Sequence, residues 1–142
     1  MDDSVIEGER VLIINNSSPS YRLTQIWWKD LWVHPLGANP SFTKIFDIPR
    51  GSLPSLVKVS CCEPFGDGIS FRVGYVSSNR SEDYYISETE LSEAGEWNCK
   101  TPHLYEKPNQ KHSKLSLDVL CKNNPDAGML WWHVEFKFPT DN

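Results

Sequence analysis

The sequence predicts an all-β fold, a sandwich or barrel in one domain spanning residues 1–142. Three observations carry this. Apolar and polar residues alternate with period two along most of the chain, turn-forming clusters interrupt the alternation at short intervals, and only one weak helical signal breaks the pattern. Short strands punctuated in this way bury their apolar faces by stacking two sheets or by closing on themselves.

Val11 to Asn15 is a short apolar strand ended by the turn cluster NNSSPS, and Tyr21 to Trp28 alternates loosely into a Trp-rich stretch closed by HPLGANPS. Phe42 to Ile48 reads as the next strand, broken by IPRGSLPS, and Leu56 to Cys61 follows before the turn CEPFGDG. The clearest alternation puts Ile69, Phe71, Val73 and Tyr75 on one face, with Ser70, Arg72 and Gly74 on the other. Asp83 to Ser87 is a further strand candidate. Ser87 with Glu90 forms a capping box that predicts one short helix ending near Gly95. Lys114 to Cys121 places Leu115, Leu117, Val119 and Cys121 on one face. After KNNPDAG, the last strand directs Leu130, Trp132, Val134, Phe136 and Phe138 inward and Trp131, His133, Glu135 and Lys137 outward. No repeat or linker divides the chain.

The balance of 14 basic and 19 acidic residues gives a net charge of −5, and no basic cluster exceeds two residues. Nucleic-acid binding needs a Lys/Arg stripe to displace phosphate counterions, so no nucleic-acid partner is expected. Recruitment to anionic lipid is disfavoured for the same reason. No run approaches the roughly 18–20 apolar residues of a membrane-spanning helix. The acidic start and the brief apolar run Val11 to Ile14 predict no cleaved signal peptide, hence a cytoplasmic protein or one secreted without such a leader. Cys61, Cys62, Cys99 and Cys121 make no metal-type CxxC pair and are expected to be mostly free and partly buried.

Six tryptophans are the strongest functional signal, because four of them form the adjacent pairs Trp27–Trp28 and Trp131–Trp132. Neighbours in a strand point to opposite faces, so each pair sends one indole away from a single core. One of Trp27 and Trp28 therefore faces inward and the other outward. Surface indoles beside carboxylates (Asp30, Asp67, Asp83, Glu96) suit a cationic or ethanolamine-type head group, and equally a sugar. Tyr84 and Tyr85 add another aromatic pair, and Trp97 stands alone outside any clear strand.

Chemistry of the enzymatic kind has little to stand on. There is no GxSxG elbow, HExxH, P-loop or dinucleotide glycine pattern. Cys99 and His103, four residues apart, are the sole hint of a thiolate–imidazole or zinc pair. His34, His112 and His133 read as surface or locally hydrogen-bonded histidines. A non-enzymatic binding protein without metal or cofactor is the expectation, with a cysteine-dependent hydrolase as the minority reading.

The order of features resembles that of the aegerolysins, small acidic all-β proteins. The resemblance runs over residues 10–138 through VLIINN, IWWKDLWVHPLG, VKVSCCEPFGDGISFRV, the Trp-x-Cys motif WNC and the turn NNPDAGML. It implies an actinoporin-like β-sandwich that recognises sphingolipid-containing membranes, with sphingomyelin and cholesterol or with ceramide phosphoethanolamine. It also implies a perforin-like (MACPF) partner that forms the pore, in a two-component cytolysin peripherally bound to target cells. The family's lipid-contacting tryptophans map to Trp28 or Trp32 and to Trp97, and an acidic residue that tunes cholesterol dependence falls near Asp67. With Trp27 and Tyr85 added from the aromatic pairs, these are the expected lipid-binding residues. The chain departs from the family at Lys100–Pro102, where a second Trp often follows, and in its final WW. A sugar-binding, lectin-like sandwich is the alternative, since indole stacking on a pyranose uses the same parts.

Overall fold

The computed structural model describes residues 5–15, 21–35, 41–76, 85–100, 114–125 and 127–138. Its strands are β1 (Ile6–Asn15), β2 (Tyr21–Val33), β3 (Phe42–Asp47), β4 (Leu53–Glu63), β5 (Ile69–Tyr75), β6 (Ile86–Glu90), β7 (Gly95–Lys100), β8 (Lys114–Cys121) and β9 (Met129–Phe138). They form a five-stranded sheet in the order β1-β2-β9-β4-β7 and a four-stranded sheet in the order β3-β8-β5-β6. The pairing is antiparallel throughout. With the edge strand β1 set aside, the orders β2-β9-β4-β7 and β3-β8-β5-β6 are those of an eight-stranded jelly roll.

Alternation decides what fills the space between the sheets. On β9, Leu130, Trp132, Val134 and Phe136 are fully buried, while Trp131, His133 and Glu135 on the other face are half-buried and Lys137 is exposed. Trp132 stacks on Phe46 of the opposite sheet, centroids 3.9 Å apart and planes 9° from parallel. Val57 and Val59 of β4 meet Phe71 and Val73 of β5 and Leu115, Leu117 and Val119 of β8 in one continuous core. Phe138, inward by phase, is half-buried at the core's margin, edge-on to Trp27 at 5.9 Å.

Four local expectations are corrected. The Ser-x-x-Glu box at Ser87 caps no helix: residues 86–90 form β6, with Ile86 7% exposed and the Ser70 hydroxyl donating to Glu88 at 3.0 Å. Pairing with β5 supplies hydrogen bonds to a whole segment, which outweighs a cap worth about 1 kcal/mol. Trp97 lies inside a strand, β7, opposite Val59 of β4. And β2 does not stop at Trp28 but continues to Val33, so the entire Trp-rich stretch is strand. β4 also starts earlier, at Leu53, and a register shift between Pro54 and Leu56 absorbs the proline that cannot donate to the ladder.

Asp83, Tyr84, His103 and His112 lie outside the described residues, so the Cys99–His103 pair is not placed.

An aromatic and acidic face on the outer side of the large sheet

The register of β2 against β9 brings the two WW pairs together. Trp32 stands opposite Trp131, Asp30 opposite His133, and Trp28 opposite Glu135, all on the face turned away from the core. The same strands send Trp27, Lys29, Leu31 and Val33 to the other face, opposite Phe136, Val134, Trp132 and Leu130. Trp27 is thus the inward member of its pair and packs against the core, and Trp28 is the outward one.

Two aromatic supports flank this face. Trp32 and Trp131 contact each other with centroids 4.4 Å apart and planes 53° from parallel. Trp28 lies across β1, its six-membered ring over Gly8, where any β-carbon would overlap it. The glycine is therefore what lets the indole settle on the sheet. Trp28 and Trp32 are four residues apart on one strand, about 13 Å at roughly 3.3 Å per residue.

Between the two supports sits a polar cluster. His133 Nδ1 faces Asp30 Oδ1, and its Nε2 faces Glu135 Oε2 at 2.9 Å. All three side chains are largely covered, 13% exposed for Asp30, 19% for His133 and 15% for Glu135. Both ring nitrogens donate only in the imidazolium form; beside a neutral ring, one of the two contacts needs a protonated carboxyl. Burial is the main reason that the Asp30 carboxyl is held above its ordinary range, with the hydrogen bond to His133 pulling the other way. Across β9 from the histidine, Lys58 makes an ion pair of 2.5 Å with Glu96.

The six expected lipid-binding residues fall in separate places. Trp28 and Trp32 share the outer face. Trp27 lies on the inner side, its Nε1 buried without a hydrogen-bond partner, beside a pocket of about 170 Å³ shared with Glu7, Gly8 and Glu9. Trp97 also faces inward: it touches Phe71 at 5.2 Å and covers Gly95 at the end of the core. Tyr85 is 6% exposed and shares a hydroxyl–hydroxyl hydrogen bond with Tyr75. Asp67 is exposed in the turn before β5. The residues that sequence reasoning passed over are His133, Glu135 and Trp131, which meet Asp30 and Trp32 only through pairing of strands about a hundred residues apart.

The cysteines are free: Cys61 is buried, Cys62 exposed, and Cys99 and Cys121 half-buried. Burial raises the thiol pKa of Cys61, Cys99 and Cys121, which keeps them protonated and poorly nucleophilic. Among the described residues no group of three or more His, Cys, Asp or Glu could hold a metal ion, and no helix is long and apolar enough to cross a membrane.

No protein-family model matches the chain, and no curated protein matches it. Among solved structures, a chain of the cyanophage Pam1 capsid asymmetric unit is similar with a TM-score of 0.56 and 14% identity, over 82% of this chain and 85% of that one. A chain of the Ralstonia phage GP4 capsid has a TM-score of 0.47 and 12% identity, over 80% and 86%. The first likeness is one of fold: this chain is an all-β, two-sheet sandwich of a kind also found in a phage capsid.

Proposed function

We propose that this chain is a non-enzymatic structural subunit of a virus-type protein shell, carried as a small outer component. The observation that supports it most is the end-to-end likeness to the Pam1 chain, in which the matched stretch makes up 82% of one chain and 85% of the other. The likeness therefore extends over most of both chains and is not confined to a few strands. Jelly rolls serve capsids and lectins alike, and a fold alone does not fix a use. Two features of this chain agree with the shell reading. A net charge of −5 with no basic stripe argues for a position away from packaged nucleic acid. And β1 pairs with β2 as far as Asn15, whereas β9 follows β2 only from Gln25 onward. Among the described residues, the far end of the β1–β2 pair therefore has two strands where the body has five. Two strands alone are marginal in water, and a neighbouring subunit is the natural support for such an arm.

The test is to purify intact particles from the source culture by density gradient and quantify this chain by mass spectrometry. Co-migration with the shell protein at a fixed copy ratio is expected. A chain found only in the soluble fraction defeats the proposal.

The second reading keeps the aegerolysin resemblance and its actinoporin-like sandwich: a peripheral protein docking on sphingolipid head groups, with a MACPF partner making the pore. The three outer-face indoles favour it. Against it, Trp27, Trp97 and Tyr85 serve the inner side of the sandwich. Flotation with sphingomyelin–cholesterol vesicles decides: vesicle binding that persists in high salt supports this reading, and its absence removes it.

A further inference from the structure

We propose that two copies of this chain join through β1, the outer edge of one strand pairing antiparallel with the same edge of the other about a two-fold axis at Leu12. The pairing goes beyond the shell reading and does not depend on it.

The four sheet edges differ in the way that matters here. An edge strand offers backbone N–H and C=O groups to any strand that can lie beside it, and shortness, charge, proline and bulges are what blunt it. β3 has six residues, Lys44 and Asp47 among them. β6 has five, with Glu88 and Glu90, and a register shift interrupts its pairing with β5. β7 has six and carries Glu96 and Lys100. β1 runs for ten residues, pairs with β2 without a register shift, and contains neither proline nor lysine. Its charges, Glu7, Glu9 and Arg10, all fall before Val11. From Val11 to Ile14 four successive residues are apolar, a pattern that supplies apolar residues to both faces of a strand. Among the described residues, β1 pairs with β2 alone.

Length and charge select the occupant and the register. Of the four edges that a second copy presents, only its own β1 is long and uncharged enough to match Val11–Asn15. Directly opposite residues of an antiparallel pair share a face, so a two-fold axis through the sheet sets one residue against itself. An axis at Gly8, Glu9 or Arg10 brings like charges together: Glu7 with Glu9, Glu9 with Glu9, or Arg10 with Arg10. An axis at Leu12 keeps the whole apolar run in the ladder. Val11 then stands opposite Ile13, Arg10 opposite Ile14 and Glu9 opposite Asn15, with no like charges opposed. The far end of the β1–β2 pair becomes four strands, β2-β1-β1-β2, where two alone are marginal. Such a contact is isologous: it uses up the edge on both copies and closes at two.

The full-length chain is to be taken through a concentration series by analytical ultracentrifugation, with hydrogen exchange measured at both ends of the series. A reversible equilibrium between 16.3 kDa and twice that mass is expected. Amides of residues 9–15 should exchange more slowly in the concentrated sample. Leu12→Lys sets two like charges opposite each other at the axis and should raise the dissociation constant about tenfold or more. Its monomer should keep the near-ultraviolet circular dichroism of the wild type. Should that variant fail to fold, hydrogen exchange on the wild type still decides. A mass of 16.3 kDa at every concentration overturns the proposal. So does a dimer that folded Leu12→Lys leaves intact, assembly beyond two copies, or exchange in β1 that ignores concentration. Co-migration with particles reads the shell role separately, so either idea can fail alone.

Discussion

The two outward faces of this sandwich solve the same problem in opposite ways. On the four-stranded sheet, Asp118 of β8 is 8% exposed and lies between Arg72 of β5, whose Nε donates at 2.9 Å, and Thr43 of β3, whose hydroxyl donates at 2.7 Å. One carboxylate meets one guanidinium and one hydroxyl, across three strands in register. The network sets a cation against the carboxylate, and it ties the sheet together. On the five-stranded sheet, two carboxylates converge on one imidazole, and indoles stand on either side of them. A matched polar cluster is a structural device. One bordered by indoles is a candidate site.

Adjacent tryptophans sharpen the contrast most strongly. Trp132 is 0% exposed and stacked on Phe46, so Trp132→Ala should lose about 3–5 kcal/mol, the usual cost of emptying an aromatic site in a core. Its buried indole nitrogen lacks a hydrogen-bond partner, so Trp132→Phe should cost clearly less than the alanine change. Urea titration of both variants reads the difference. A wild-type midpoint for Trp132→Ala would overturn the assignment of the inner face.

Asp118→Ala comes next. Breaking a fully buried ion pair costs about 3–5 kcal/mol. Arg72 is 28% exposed and can recover some hydration, so about 2–3 kcal/mol is expected. The companion change Trp131→Ala on the other outward face should cost only about 1 kcal/mol, the contribution of an aromatic pair at a half-buried position. If Trp131→Ala destabilised the protein as much as Asp118→Ala in thermal melts, the outer face of the large sheet would be structural and the contrast would dissolve.

Sequence reading reached the inward half of each strand more readily than the outward half. Strict alternation exposed the phase of β5, β8 and β9, because a face that must be buried dictates residue type every second position. It also separated Cys61 from Cys62 and left Trp27 and Trp28 on opposite sides. β7 was missed since Gly95–Lys100 holds no β-branched residue. It is a strand because the edge of β4 pairs with it, and its Trp97 was consequently expected in a loop. The acidic cluster was hidden for a different reason. Asp30 was noted as a carboxylate near indoles and His133 as locally hydrogen-bonded, but nothing local says that the second strand lies against the ninth. Jelly-roll topology makes that neighbourhood, and topology is a property of the whole chain.

The smallest effect tests the burial of Asp30. Burial is the leading reason that the Asp30 pKa is raised, so the folded state binds this proton more tightly than the unfolded chain does. Its contribution to stability is therefore fully present below the ordinary carboxylate pKa of about 3.9, and is lost as pH rises through the higher folded value. Asparagine at this position cannot titrate. The stability of the wild type relative to Asp30→Asn should accordingly fall from about pH 4 upward and level off once the folded-state carboxyl has ionised. Denaturant midpoints measured at half-unit pH steps give the curve. If the Asp30 curve rises with pH, the attraction to His133 outweighs burial, and this carboxylate behaves as an ordinary ion-paired one.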